Sequence, residues 1–200
     1  PARSPVQVAK TYATLDYISG GRMIMAVGSG SDVRDLEACG IAPQERAKRL
    51  EEGIEILRKL WTETDVSYHG KFYQFEHVNI EPKPKKGALD IWIGGKSDAI
   101  LKRTARMGDG WFPALTTPQE FKTDMDKLIG YGAEIGRTMN PREAGVLLLT
   151  HVSDDREAAW KTVAPFLRGL PMSPEAVAER CIVGPAEECV EKLQRFVEAG

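Results

Sequence analysis

Short apolar runs of strand character alternate along this chain with amphipathic stretches of helical length. Residues 6–18 read as a helix with Val6, Ala9, Ala13 and Tyr17 on one face, stopped by Gly20 and Gly21. RMIMAVG, residues 22–28, follows as a short buried strand. Residues 43–61 make the clearest helix: Ala47, Leu50, Ile54, Leu57 and Trp61 recur at helical spacing, and Pro43 stands near the first turn. Its other face carries Arg49, Glu51, Glu52, Glu55, Arg58 and Lys59 and reads as a solvated surface of mutually paired charges. VSYHGKFYQFEHVNI, residues 66–80, alternates about Gly70 and reads as an aromatic-rich hairpin. EPKPKKG then interrupts regular structure, as a loop within one domain. DIWIGG is the next strand, followed by a helix opening on Ser97; DGWFP, from Asp109, is a brief strand and residues 118–135 a helix. AGVLLLTHV, residues 144–152, reads as a fourth buried strand, and helices over about 154–167, 174–180 and 185–199 complete the pattern.

Strand, helix, strand, helix with near-continuous apolar strands predicts an α/β protein with parallel strands under a helical cover. A (β/α)₈ barrel and an open doubly wound sheet both fit that order. Both place ligands at the C-terminal ends of the strands. Gly28, Ser29 and Gly30, then Gly94 to Ser97, then the residues after Pro113 all fall at such ends.

Composition narrows the chemistry. With 42% hydrophobic and 28% charged residues, the 200-residue chain suits one sizeable globular core. A net charge of −2 with scattered Lys and Arg predicts neither a nucleic-acid nor a membrane-surface partner. Three widely spaced cysteines fit no disulfide framework or zinc site, which points to a reducing, cytoplasmic setting. No apolar run approaches the length of a membrane span. His69, His77 and His151 lack metal-ligand spacing, and no metal is expected. Asp154, Asp155 and Arg156 follow a strand, where Asp is commonly a helix cap. Neither a G-x-S-x-G elbow nor a nucleophilic cysteine context supports hydrolysis.

The most informative stretch is DIWIGGKSDAILKRTARM, residues 90–107. A strand runs into Gly94 and Gly95, and a helix starts at once on Ser97, so several unpaired backbone N–H groups gather where the helix dipole is positive. An anion such as a phosphate fits there, with Lys96 as a mobile positive charge and the Ser97 hydroxyl as a donor or a cap. The same residues also suit a plain strand-to-helix turn, since GGKS is not a complete Walker sequence.

SGGRMIMAVGSG, RLEEGIEILRKLW, SYHGKFYQFEHV, PKP, IWIGGKS and ARMGDGWFP, in this order and spacing, resemble the bacterial-luciferase-like family of flavin-dependent oxidoreductases. VGPAEECVEKLQRFVEAG is similar to that family's last helix. The resemblance implies a TIM barrel binding a flavin, FMN or coenzyme F420, at the C-terminal mouth of the strands. It implies that Gly94, Gly95, Lys96 and Ser97 cradle the cofactor phosphate and that Gly28 and Ser29 lie close to the cofactor; Trp111 reads as core. Reduced FMN, often delivered by a separate flavin reductase, would serve oxygenation of a small organic substrate with O₂; F420 would carry a hydride. Relatives are often dimers or larger, which implies a homo-oligomer. Relatives also begin with further βα units and end with a further strand, and a closed barrel needs roughly 250 residues. Residues 1–200 are therefore expected to be the C-terminal portion of a single luciferase-like barrel domain, lacking its first strands and its last, and no side chain here reads as catalytic. A Rossmann-like nucleotide-binding domain is the alternative enzyme reading, disfavoured because neither VGSGSD nor IGGKSD completes G-x-G-x-x-G with its acidic partner. A non-catalytic flavin-binding relative is the other alternative.

Overall fold

The first helix, α1 (Pro5–Ser19), begins on a proline, whose missing N–H costs nothing in a first turn, and stops at Gly20 in the left-handed conformation. The chain is described here from a computed structural model covering residues 1–170 and 172–200. The buried face of α1 is Pro5, Ala9, Ala13 and Asp16, whereas Tyr17, expected on it, is 59% exposed. The face is turned by Asp16: its carboxylate is buried and accepts from the Met23 and Lys85 N–H groups. Small Ala9 and Ala13 let a second helix approach closely enough for the Trp61 indole N–H to donate to the Ala9 carbonyl at 3.0 Å. Tyr17 instead offers its ring to the Lys85 ammonium, 5.3 Å from the centroid.

That second helix is α3 (Arg46–Thr62), entered through a 3₁₀ turn at Pro43–Glu45. Leu50, Ile54, Leu57 and Trp61 are buried as the spacing predicts. The charged face carries helical-spacing pairs such as Lys48–Glu51 and Lys59–Glu63, and part of it docks the antiparallel hairpin of β2 (Val66–His69) and β3 (Gln74–Val78). Glu52 accepts from the Lys71 and Phe72 N–H groups at the hairpin tip, Glu55 accepts from the Tyr68 hydroxyl, and the Arg49 guanidinium lies 4.6 Å over the Phe72 ring. Tip N–H groups without a strand partner need acceptors, and the helix carboxylates supply them. In residues 81–87, the Lys83 ammonium donates to the Leu60 and Glu63 carbonyls at the end of α3, and the Lys85 N–H goes to Asp16, so this segment is a tied loop.

The parallel strands are real. β1 (Ile24–Val27) pairs in parallel with β4 (Asp90–Ile93), Met25 beside Ile91 and Val27 beside Ile93. Asp109 clamps this region, its Oδ2 accepting from Arg58 at 2.7 Å and from the Ile91 N–H at 2.9 Å. A helix that the hydrophobic pattern does not predict, α2 (Val33–Ala38), follows β1, capped by Asp32.

Contacts divide the chain into two units, Pro1–Ile93 with Met107–Asp109, and Gly94–Arg106 with Gly110–Gly200. In the second, helix α4 (Asp98–Met107) leads to β5 (Gly110–Trp111) and then to α5 (Pro118–Glu134), which opens with a reciprocal capping box between Thr117 and Glu120. Leu101, Ala105, Trp111, Phe121, Met125, Leu128, Met139 and Phe196 form its core. The long buried strand expected over residues 144–152 does not form. Ala144 and Leu147 make isolated parallel bridges to Trp111 and Ala114, Leu147 is 57% exposed, and only β6 (Thr150–Val152) is regular. Pro113 accounts for the break. The alternation runs Trp111 N–H to Glu143, Gly145 N–H to Trp111 and Leu147 N–H to Pro113; the donor missing from that series belongs to residue 113, and proline has none. β6 pairs in parallel with β7 (Ile182–Gly184), a three-residue strand unmarked in the hydrophobic pattern. Helices α6 (Arg156–Leu167), α7 (Pro174–Arg180) and α8 (Ala186–Glu198) complete the unit, Asp155 and Ser173 capping the first two. Among the described residues no helix is long and apolar enough to cross a membrane.

Candidate functional site

The buried Ile91 and Ile93 bring β4 to its end, and Gly94 and Gly95 turn the chain into α4. Gly95 has φ +111°, a backbone conformation that favours glycine, and a Cβ added there would lie 2.5 Å from Ile100 Cδ1, whose side-chain end would have to shift. Its carbonyl accepts from the Trp111 indole N–H at 2.7 Å. Trp111 is fully buried and stacks on Phe121, centroids 5.1 Å apart. It belongs to the core, and it also fixes the turn. The Ile100 and Leu101 N–H groups both return to the Ser97 carbonyl, so the N–H groups ahead of them are those that a helix start leaves for a cap, water or an anion. Asp98, in the first turn, has Lys127 at 3.4 Å, a cation it shares with Asp124 at 3.3 Å.

Lys96 is less free than its sequence position suggests. Its ammonium donates to the Leu115 carbonyl at 2.7 Å and lies 3.5 Å from Glu120. Leu115 has φ +51°, an uncommon conformation for a side chain branched at Cγ, and the lysine bond helps to hold it. Glu120 also accepts from the Thr117 N–H at 3.1 Å and pairs with Arg180. Partial burial works to raise the Glu120 pKa, but the Thr117 N–H, Arg180 and Lys96 together hold it below the ordinary glutamate value. Lys96 and Arg180 thus share Glu120, and Arg180 also pairs with Glu179 at 3.7 Å, so the charges beside the turn are mutually matched.

Gly28 and Ser29 stand at the end of β1 in the other unit. A Cβ on Gly28 would meet open space, and Gly28 lines a cavity of about 250 Å³ together with Met25, Val27, Gly30, Leu36 and Arg49. Ser29, half-buried, is not among the lining residues. Gly94, Gly95, Lys96 and Ser97 are contiguous at one helix start, so the structure presents them as one locus. The Leu115 carbonyl, Glu120, Arg180 and the donor role of Trp111 were missed by sequence reasoning. The T-x-x-E capping signature at Thr117 and Glu120 was available as a signal, whereas nothing local marks Arg180, 60 residues further on. Among the described residues no three His, Cys, Asp or Glu side chains gather to hold a metal ion.

Parallel strands, one of which passes through glycines directly into a helix, define an α/β protein. The chain belongs to the luciferase-like monooxygenase family, which it matches over residues 1–176. It is 30% identical over 181 residues to the 5,10-methylenetetrahydromethanopterin reductase of Archaeoglobus fulgidus, covering 88% of this chain and 53% of that protein. It is 31% identical over 178 residues to the FMNH₂-dependent dimethylsulfone monooxygenase of Pseudomonas putida, covering 87% of this chain and 48% of that protein. The chain thus spans about half the length of these relatives. In fold it is similar to an F420-dependent secondary alcohol dehydrogenase solved with an F420-acetone adduct, at TM-score 0.85 and 22% identity, covering 98% of this chain and 67% of that one.

Proposed function

We propose that this protein is a flavin-dependent oxidoreductase of the luciferase-like type, holding FMN or coenzyme F420 by its phosphate at Gly94, Gly95, Lys96 and Ser97. The observation that carries the reading is the Gly95 turn: a glycine in a positive-φ conformation, its carbonyl tied back by Trp111, at the start of a ten-residue helix. The donor set suits a phosphate, combining backbone N–H groups, a hydroxyl and one lysine, and offering no metal ligands. Two relatives named for the two cofactor chemistries, one FMNH₂-dependent and one F420-dependent, support leaving both open. When bound, the cofactor supplies the redox chemistry, as electrons for O₂ in the FMN case or a hydride in the F420 case. The residues of this chain bind and orient: the turn fixes the phosphate, and Lys96 adds charge. Gly28 and Ser29 are proposed as a further contact with the cofactor. The same reading takes a small organic substrate, a flavin reductase where FMN is used, a homo-oligomeric assembly and a cytoplasmic setting.

The test is retention of a chromophore. After incubation with FMN, F420 or NAD and gel filtration, the absorbance spectrum of the protein is expected to show bound FMN or F420. Ser97→Ala is expected to weaken that binding and Gly95→Val to weaken it more. Retention of NAD alone, or flavin binding undisturbed in both variants, overturns the assignment.

A further inference from the structure

We infer that Trp111 is a positioning residue for the cofactor phosphate, acting through the Gly95 carbonyl; the inference rests on the phosphate reading of the turn. The Gly95–Lys96 peptide is trans, and across a planar trans peptide the carbonyl and the next N–H point in opposite directions. The indole N–H of Trp111 holds the Gly95 carbonyl at 2.7 Å, on the side of the core. The Lys96 N–H is therefore turned outward, away from the core, where the leftover N–H groups of α4 begin. With φ +111°, Gly95 has the freedom to flip this peptide, so something must choose the orientation. The tryptophan makes that choice rigidly, being fully buried and stacked on Phe121.

The nearest competing account is that Trp111 is core and nothing more, with the hydrogen bond serving only to satisfy a buried indole. The two accounts separate on the phosphate. Packing alone affects every ligand of the site equally, whereas an oriented peptide matters only to a ligand that carries the anion.

Trp111→Phe removes the donor while keeping an aromatic ring against Phe121. Dissociation constants are measured by fluorescence for FMN against riboflavin, or for F420 against its phosphate-free deazaflavin. In Trp111→Phe, binding of the phosphate form is expected to weaken about tenfold, as for loss of one buried hydrogen bond, while the phosphate-free form changes less than about twofold. Phe121→Leu, which thins the packing and leaves the indole N–H, is expected to lower the melting temperature and keep the parent's preference for the phosphate form. Equal losses for both ligand forms in Trp111→Phe, or no loss for either, overturn the inference while leaving the phosphate reading intact. A parent protein that binds the two forms equally well overturns the phosphate reading and the inference with it. Should Trp111→Phe fail to fold, the parent labelled with ¹⁵N-tryptophan answers the same question. The Trp111 indole proton is expected to shift on titration with the phosphate form and to stay in place with the phosphate-free form, and a signal unmoved by both overturns the inference.

Discussion

Two turns in this protein share a recipe and differ in outcome. After β1 the chain reads Gly28, Ser29, Gly30; after β4 it reads Gly94, Gly95, Lys96, Ser97; each turn leaves a parallel strand for a helix. After β1, Gly30 takes φ +89° against Leu36, and the helix that follows is only six residues long. Asp32 caps that helix by accepting from the Arg34 N–H at 2.9 Å, and the Arg34 guanidinium folds back onto the same carboxylate. The start of α2 is thus occupied by its own cap, whose carboxylate is engaged by both the N–H and the guanidinium of Arg34. After β4, the helix has ten residues, Gly95 takes φ +111° with the end of Ile100 against it, its carbonyl is tied by Trp111, and Lys96 stands beside Glu120. Glycines make a turn passable; what differs between the two is the cap at the helix start and the partner of the glycine carbonyl.

The largest effect is expected from Gly95→Val. A β-branched residue at this φ costs about 1–3 kcal/mol in backbone strain alone, and its Cβ must displace Ile100. Loss of cofactor retention together with a fall in the denaturant midpoint is the expected result, measured by absorbance after gel filtration and by urea unfolding. The contrasting substitution, Gly28→Ala, meets open space and is expected to move stability by less than about 0.5 kcal/mol. If the two glycines respond alike in stability, Gly95 is no more constrained than Gly28 and the two turns do not differ in this respect.

Next in size is Lys96→Met. Removing one cation beside a phosphate is expected to weaken FMN or F420 binding about tenfold, close to 1.4 kcal/mol, and to flatten the dependence of affinity on salt. An unchanged salt dependence, read from titrations at low and high ionic strength, would mean that Lys96 serves only the Leu115 carbonyl and Glu120.

What was legible in the sequence and what was not divides along the same line between local and distant causes. The helical spacing of Leu50, Ile54, Leu57 and Trp61, the hairpin about Gly70 and the strand-to-helix turn at Gly94 depend on neighbours a few residues away, and the pattern exposes them. The part of α3's charged face around Glu52 reads as solvated because the hairpin tip that covers it lies about twenty residues further on. The strand expected over residues 144–152 fails for a reason seated in Pro113, on the segment it bridges. Helix α2 and strand β7 are too short for a period to show. At the candidate site the glycines and Ser97 are visible in one motif. The indole that orients them comes from 16 residues away, and the Arg180 partner of Glu120 from 60.

Glu120 offers a smaller, pH-dependent effect. Its pKa is lowered in the folded protein, so it contributes stability that is present above the ordinary glutamate value and is lost as pH falls through the lowered one. The melting temperature of Glu120→Gln is expected to lie below that of the parent at neutral pH and to converge with it in acid. A gap that persists unchanged at pH 3 would assign the loss to the capping box of α5 rather than to the charges of Lys96 and Arg180.

The smallest effect is expected at the other turn, and it bears directly on why the two differ. Asp32 has a lowered pKa, chiefly because its side chain bonds Arg34, so its stabilisation is likewise present above the ordinary carboxylate value and lost as pH falls through the lowered one. Because Asp32 and Arg34 are exposed, Asp32→Ala is expected to lower the melting temperature only slightly at neutral pH, with the difference fading in acid. The informative reading is anion binding. If the cap carboxylate is what closes the α2 start to anions, inorganic phosphate should raise the melting temperature of Asp32→Ala more than that of the parent, and that increment should vanish at high ionic strength. A phosphate response identical in the two proteins would show that six residues of helix are too few to matter, and that helix length, rather than the cap, separates the turn after β1 from the turn after β4.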